Sequence, residues 1–392
     1  VGILGLGRGR THVSNFLALD NAMVIGVADR FEHRRDAMRE RVEAQGGQLV
    51  AEYDELLALK PDAIVVATNG KLQVEHSCQA MEAGLPVLSE IPGGYTFDEM
   101  IRLRECVERT GALYMLAENT CYWDFFRYFR KWVVEGRFGE VVMAEGEYVH
   151  DIPATVVTAD GQVMTPTKAR EQGLATRPTW RADQPPIQYS THDIGPLLEV
   201  MDDRIVSVSC RGTAWRNPDA PLRADGQIAL FETAKGALIR ILVTLNTYLP
   251  SEHRYRLFGI DGGCEWFLYE RFGRRFTRDR TESQGWERLK IDLAGKSDDT
   301  STGHGGADLK VARAFTEAVL NNQPSPIDVY RAIEYCLPGI IAAKSAELGG
   351  APLPVPDLRR QAFSGTRFWE TLPLPTEEPE PLTAEEQKAQ WD

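Results

Sequence analysis

The first residues that could do chemistry stand at the head of the chain, where the glycine-rich turn Gly5-Leu6-Gly7-Arg8-Gly9 follows the apolar run Val1-Gly2-Ile3-Leu4. Behind it, from about Thr11, Val13, Phe16 and Leu17 recur on one helical face. Strand, glycine turn and helix in that order cradle a pyrophosphate. Positions without side chains let the backbone come close, and the helix N-terminus offers the positive end of its dipole. The next apolar run, Met23–Ala28, ends at Asp29, where a carboxylate accepts from ribose hydroxyls and repels a 2′-phosphate. Such a site takes NAD rather than NADP. Arg10 stands where the third glycine of the usual spacing would fall, so Gly9 comes one residue early.

The elements that position this turn continue as alternating strand and helix. Apolar runs at Ala63–Ala67, Pro86–Ser89 and Leu113–Ala117 are separated by amphipathic stretches such as Phe97–Thr110. Residues 1–118 therefore read as an NAD-binding Rossmann domain, an α/β doubly wound parallel sheet. After Asn119 longer strands appear at Val141–Val149, Ile205–Thr213, Gln227–Glu232, Ala237–Leu245, Arg254–Phe258 and Cys264–Tyr269. Turns such as Asp261-Gly262-Gly263 join neighbouring strands. Helices return at Asp308–Asn321 and Asp328–Leu348, so 119–348 is expected to be an α+β substrate and cover domain with an open, mainly antiparallel sheet. Residues 349–392 are Pro-rich and acidic, the texture of a tail that wraps the surface or stays mobile. No internal repeat is present.

Composition narrows the function. The chain has 392 residues, 43% hydrophobic and 26% charged, with a formal net charge of −13 that opposes nucleic-acid binding. No apolar run reaches membrane-spanning length. The six cysteines are scattered, without zinc spacing, which points to reduced thiols, a cytoplasmic enzyme and no metal site. Small molecules are the expected partners.

The glycine turn, Asp29, Thr68-Asn69 with His76, Glu90-Ile91-Pro92, Glu118-Asn119 and Trp180-Arg181 with His192 together resemble the glucose-fructose oxidoreductase, inositol dehydrogenase and MocA superfamily. The resemblance covers roughly residues 1–345. It implies that Asn69, Glu90 and Asn119 contact the NAD diphosphate, nicotinamide ribose and amide. It places Arg8, Arg30, Thr68, His76, Trp180 and Arg181 on the cofactor side as well. It also implies a homo-oligomer, because the open sheet leaves a broad face to bury. Two departures stand out: Ile91 replaces the lysine that reaches the reacting hydroxyl in family dehydrogenases, and Gln188 replaces an aspartate, leaving His192 from the proton-handling set.

A narrower resemblance accounts for this combination. Met115–Tyr122, Glu147–Asp151, Tyr189–Pro196 and Gly303–Asp308 are similar to the NAD-dependent glycoside hydrolases of the superfamily, typified by alpha-N-acetylgalactosaminidases. The resemblance implies transient oxidation at sugar carbon 3, loss of the aglycone after proton removal at carbon 2, addition of water, and re-reduction. Tyr148 and His150 would serve carbon 2 and the leaving group, and Tyr189 and His192 the 3-hydroxyl. Tyr148 and His150 lie two apart on one strand and so leave the same face. His304 sits in a glycine-rich loop where it either joins the site or caps the following helix. Lys168, Arg170 and Arg177 form a basic segment that binds an anionic substituent, such as the sulfonate of a sulfoquinovoside, or is simply a solvated loop. His12, His33, His76 and His253 read as structural or cofactor-side. The competing functions are a sugar dehydrogenase using His192 as its base and a nucleotide-binding regulatory protein.

Overall fold

The computed structural model describes residues 1–217, 224–268, 272–291, 303–359, 368–383 and 385–386. Its first sheet contains β1 (Gly2–Leu4), β2 (Gly26–Ala28), β3 (Gln48–Val50), β4 (Ile64–Val66), β5 (Val87–Ser89) and β6 (Tyr114–Leu116). All are parallel, in the order β3-β2-β1-β4-β5-β6. Helices cover both faces, which is why runs such as Ile64-Val65-Val66 are apolar without alternation and fully buried. The strand order reverses between β1 and β4, the switch point at which such sheets open a ligand crevice. The ladder is shorter than the apolar runs: Met23 is exposed, and β2 pairs with β1 only from Gly26. Helix Phe97–Thr110 has the expected span because Thr96 and Glu99 form a capping box and Gly111, at φ +67, ends it.

The second part begins with β7 (Val141–Val149) and a small insertion of β8 (Val156–Thr158), β9 (Val163–Met164) and β10 (Thr176–Pro178), which pair as β10-β8-β9. There follow β11 (Ile205–Gly212), β12 (Gly226–Thr233), β13 (Leu238–Thr244), β14 (Glu252–Gly259), β15 (Gly262–Phe267), β16 (Phe272–Thr277), β17 (Glu287–Leu289) and β18 (Leu353–Pro354). With β7 they form a sheet in the order β17-β16-β15-β14-β7-β13-β12-β11-β18, antiparallel except where β13 and β7 run parallel at its centre. Tyr269, the expected end of one strand, lies outside the described residues.

Strand alternation sorts this sheet into two faces. On β7, Ala144, Gly146 and Tyr148 are buried, while Glu145 and Glu147 turn outward and pair with Arg240. Behind the buried face lies helix Asp124–Val134, whose Phe125 stacks on Trp266 with centroids 4.1 Å apart and planes 8° apart. Each fully buried aromatic of this kind contributes about 2 to 3 kcal/mol. The helices Ala307–Leu320 and Val329–Glu347 return as the Leu309 and Ile333 stripes require.

The described part of the C-terminal stretch wraps the molecule. Phe368 packs edge-on against Tyr122, Trp369 Nε1 donates to the Glu199 carbonyl at 2.9 Å, and Arg127 donates to the Pro373 carbonyl at 2.7 Å. Glu378 lies among Lys131, Trp132, Arg137 and Arg275. Residues 360–367 and 387–392 of the expected tail lie outside the described residues. Among the described residues no helix is long and apolar enough to cross a membrane.

Candidate active site

The glycine turn opens at the switch point. Gly5 holds φ +89, and a Cβ there would stand 2.6 Å from the Ala67 carbonyl, so no other residue fits. Helix Gly9–Leu17 starts two residues earlier than expected because Gly9 supplies the close approach to Ile3 and Ala67, the task the missing glycine at position 10 would have had. Gly7 faces open space, with only Arg34 near. Asp29 accepts from the Leu6 and Phe31 amides at 2.8 and 2.9 Å, pinning the turn to the end of β2. The exposed Arg30 and the half-buried Arg34 lie over the Phe31 ring. On the other side of the crevice Thr68 Oγ1 and His76 Nδ1 are 3.0 Å apart, Asn69 caps a short turn by accepting from the Lys71 amide, and the Trp180 ring lies against Gly70. Open glycine, helix N-terminus and acid at the β2 end fit a dinucleotide.

A charged nest borders this cradle. Arg8 Nε donates to Glu90 at 2.9 Å, and Arg8 Nη2 donates to Asp308 at 2.8 Å. His12 Nε2 lies 2.8 Å from the same Glu90 oxygen, and Asn119 donates to Asp308 at 2.7 Å. Burial opposes ionisation of Glu90, but Arg8 and His12 outweigh it and hold the carboxyl at about 2. Asp308 is likewise drawn far below the usual carboxylate range, its burial overcome by His304 and Arg8. The buried Oδ1 of Asn119 has no partner among the described residues, leaving an acceptor that a bound amide would satisfy.

Against the nest, Tyr148, His150, Tyr189 and His192 converge. Tyr148 lies parallel to His192, 5.4 Å apart at 12°, and 4.2 and 5.0 Å from the His150 and Tyr189 rings. The helix Thr191–Met201 can bring His192 this close because Gly146 of β7 admits Asp193 where a Cβ would stand only 2.7 Å from it. The fully buried Glu118 accepts from His192 Nδ1 at 2.6 Å, which turns Nε2 away from the carboxylate. Arg181 donates to Tyr189 Oη at 2.6 Å, so that oxygen accepts there and its own proton is aimed elsewhere. Tyr148 Oη has no hydrogen-bond partner among the described residues. Burial, ahead of the Tyr189 charge, pushes it well above the usual phenol range. His150 is held down to about 4, first by burial, then by His192, His304 and Arg181. Groups such as Tyr148 and His150, both kept neutral, exchange protons in small steps.

Not every expected residue arrives here. Lys168, Arg170 and Arg177 are exposed, because their segment folds as the small β10-β8-β9 sheet, where Arg170 donates to Thr167 of its own helix. That sheet leans on the cofactor domain, with Arg34 donating to the Gly161 carbonyl at 3.1 Å. His304 does not cap the following helix, whose N-cap is Gly306 without a side-chain cap bond; its exposed ring instead lies 3.0 Å from Asp308. His253, read as structural or cofactor-side, instead packs against Tyr148 at 4.8 Å and lies 3.2 Å from His150 Nε2. The sequence held the signal. His253-Arg254-Tyr255 alternates as Tyr148-Val149-His150 does, and His253 pairs with Tyr148 in the β14–β7 ladder. In the sequence Glu118 has no role beyond its place beside Asn119 in the family motif, yet its carboxylate serves His192. Among the described residues no group of His, Cys, Asp or Glu could hold a metal ion.

Comparison with known proteins agrees with this architecture. Residues 1–118 match the oxidoreductase family model described as an NAD-binding Rossmann fold, residues 126–265 the GFO/IDH/MocA C-terminal domain, and residues 229–365 the glycosyl hydrolase 109 C-terminal domain. A glycosyl hydrolase family 109 protein of Streptomyces filamentosus is 27% identical over 94% of this chain and 78% of its own length. A Bacteroides thetaiotaomicron member of that name is 26% identical over 93% of this chain and 85% of its own. In fold, the WlbA dehydrogenase of Bordetella pertussis, solved with NADH and UDP-GlcNAcA, superposes with a TM-score of 0.72 at 18% identity, covering 91% of this chain and 97% of that one. The chain thus carries an NAD-binding Rossmann domain of the Gfo/Idh/MocA oxidoreductase family, followed by a C-terminal part that matches the GFO/IDH/MocA and glycosyl hydrolase 109 C-terminal domains.

Proposed function

We propose that this protein is an NAD-dependent glycoside hydrolase. The observation that carries the reading is the pairing of a dinucleotide cradle with a cluster of weak acids and bases in which Ile91 stands in place of the dehydrogenase lysine. NAD, held by Gly5, Gly7, Gly9, Asp29, Asn69 and the Arg8–Glu90–Asp308 nest, would supply reversible removal of hydride from sugar carbon 3. His192, steadied by Glu118, with Tyr189 steadied by Arg181, would take and return the 3-hydroxyl proton. Tyr148 and His150 would take the carbon 2 proton, the electron pair left behind passing onto the neighbouring carbonyl oxygen, and would assist departure of the aglycone. Water then adds, and the sum is hydrolysis without net oxidation. This route differs from the two-carboxylate mechanism: of the carboxyls beside the cluster, Glu118 and Asp308 are committed to His192 and Arg8, and burial pushes Asp193 well above the usual carboxylate range.

An anionic substituent on the sugar is part of the proposal. It rests on Arg181, the cation beside Tyr189, rather than on the exposed Lys168, Arg170 and Arg177. Aryl glycosides incubated with the protein and NAD in deuterated water provide the test. Deuterium at carbon 2 of the released sugar is expected, and faster cleavage of a sulfoquinovoside than of the matching glucoside. Hydrolysis without label would overturn the mechanism. The Glu118–His192 dyad also suits a sugar dehydrogenase, and steady NADH formation from free sugar, without glycoside cleavage, would decide for that reading. Assembly into a homo-oligomer through the open sheet face belongs to the same proposal.

A further inference from the structure

We propose that His253 is a positioning residue that locks His150 in the tautomer protonated at Nε2, leaving Nδ1 as the nitrogen that exchanges a proton with substrate. The inference rests on the role given to His150 above. It begins at Pro196. Four residues after His192 a helix would return an amide N–H to the His192 carbonyl, but proline has none. That carbonyl is met instead by Tyr255 Oη and Thr120 Oγ1, each at 2.9 Å. Thr120 has one proton and also lies 2.8 Å from the Glu118 carboxylate, the stronger acceptor. Tyr255 is therefore the donor to the carbonyl.

The rest follows by elimination, because each neutral imidazole has one N–H and one lone pair. With its proton spent, Tyr255 Oη accepts from His253 Nδ1 at 3.2 Å, so His253 carries its lone pair at Nε2. His150 Nε2, 3.2 Å away, must donate to it. The lone pair of His150 then sits at Nδ1, where the exposed Ser251 hydroxyl donates at 3.2 Å until a substrate displaces it. Both rings stay neutral, since burial, ahead of the neighbouring histidines, lowers the pKa of each.

A carbonyl cannot pass a proton on, so this row of bonds is a dead end rather than a relay. A proton taken at Nδ1 stays on His150, its charge shared through the N–H···N bond, until it is returned. The groups facing His150, just past the end of β7, are Tyr148 on β7, His253 on β14 and Ser251 just before it, His192 on its helix, Arg181 from its turn and His304 from the glycine loop.

Long-range nitrogen–proton NMR of the full chain carrying 15N-histidine reads both tautomers directly, with His150→Gln and His253→Gln assigning the signals. Protonation of His150 at Nε2 and of His253 at Nδ1 is expected. His253→Leu should scramble the His150 tautomer, move the acid limb of the kcat/KM profile and cost about tenfold or more, as loss of an orienting partner commonly does. His253→Gln, whose side-chain carbonyl reaches the same place, should restore the tautomer and most of the rate. A wild-type His150 protonated at Nδ1 would overturn the proposal, as would His253→Leu with unchanged tautomer and pH profile. Should His253→Leu not fold, the wild type and His253→Gln decide. Because the tautomer is read without turnover, failure to cleave any glycoside counts against the proposed function and not against this assignment.

Discussion

Two polar clusters share the crevice and are built on opposite electrostatic rules. In the nest around the glycine turn, Arg8 answers Glu90 and Asp308, and His12 and Asn119 complete their bonding. In the cluster on the sheet, Tyr148 and His150 are kept neutral, with Tyr148 Oη left without a partner among the described residues. The difference separates holding from reacting. Groups locked in ion pairs change protonation reluctantly and suit a fixed cradle, while neutral groups with no ion pair to break can lend and recover protons.

Substitutions at the carboxylates should break this division if it is false. Glu118→Gln is expected to lower kcat/KM for glycoside cleavage about 100-fold or more, because the imidazole loses the partner that fixes its tautomer, while NAD affinity by calorimetry stays close to wild type. Asp308→Asn should do the reverse, weakening NAD about tenfold. Equal losses of NAD affinity in the two variants would erase the distinction.

Acid titration sharpens it. Glu90 is held at about 2 against an ordinary 4.5, so the unfolded chain binds more protons between those values. Its contribution, on the order of 3 kcal/mol, is present above pH 4.5 and lost as pH falls through 2. His150, at about 4 against 6.5, has the same sign in a higher window: its contribution is full above pH 6.5 and lost as pH falls through 4. Urea midpoints across pH should show both losses, with Arg8→Met flattening the lower and His150→Gln the upper. The smallest effect belongs to the exposed cations. Lys168, Arg170 and Arg177 replaced together by alanine should leave kcat/KM within about twofold, measured at low and high salt.

Much of the architecture could be read from residue patterns, because strand and helix periods are local. The strand Val141–Val149 and the helix Phe97–Thr110 have the expected bounds, and the glycine turn with Asp29 announced the cofactor domain. What escaped depended on register and direction. His253 joins the site only because β14 pairs with β7 at Tyr148, a long-range fact. Charge density in 168–177 left an anion site and a solvated loop equally open, because whether the segment meets the crevice or faces solvent depends on long-range packing. The task of Glu118 needed the helix of His192 to be laid against it through Gly146 and the turn after β6.

Phe368 and Tyr122 carry a practical lesson. Tyr122 ends the short turn Asn119–Tyr122 that follows Glu118, and the ring clasped onto it comes from far beyond the last long helix. A truncation made where the chain turns proline-rich would remove that clasp and loosen the seat of the carboxylate behind His192. The functional unit therefore extends into what looks like trailing sequence.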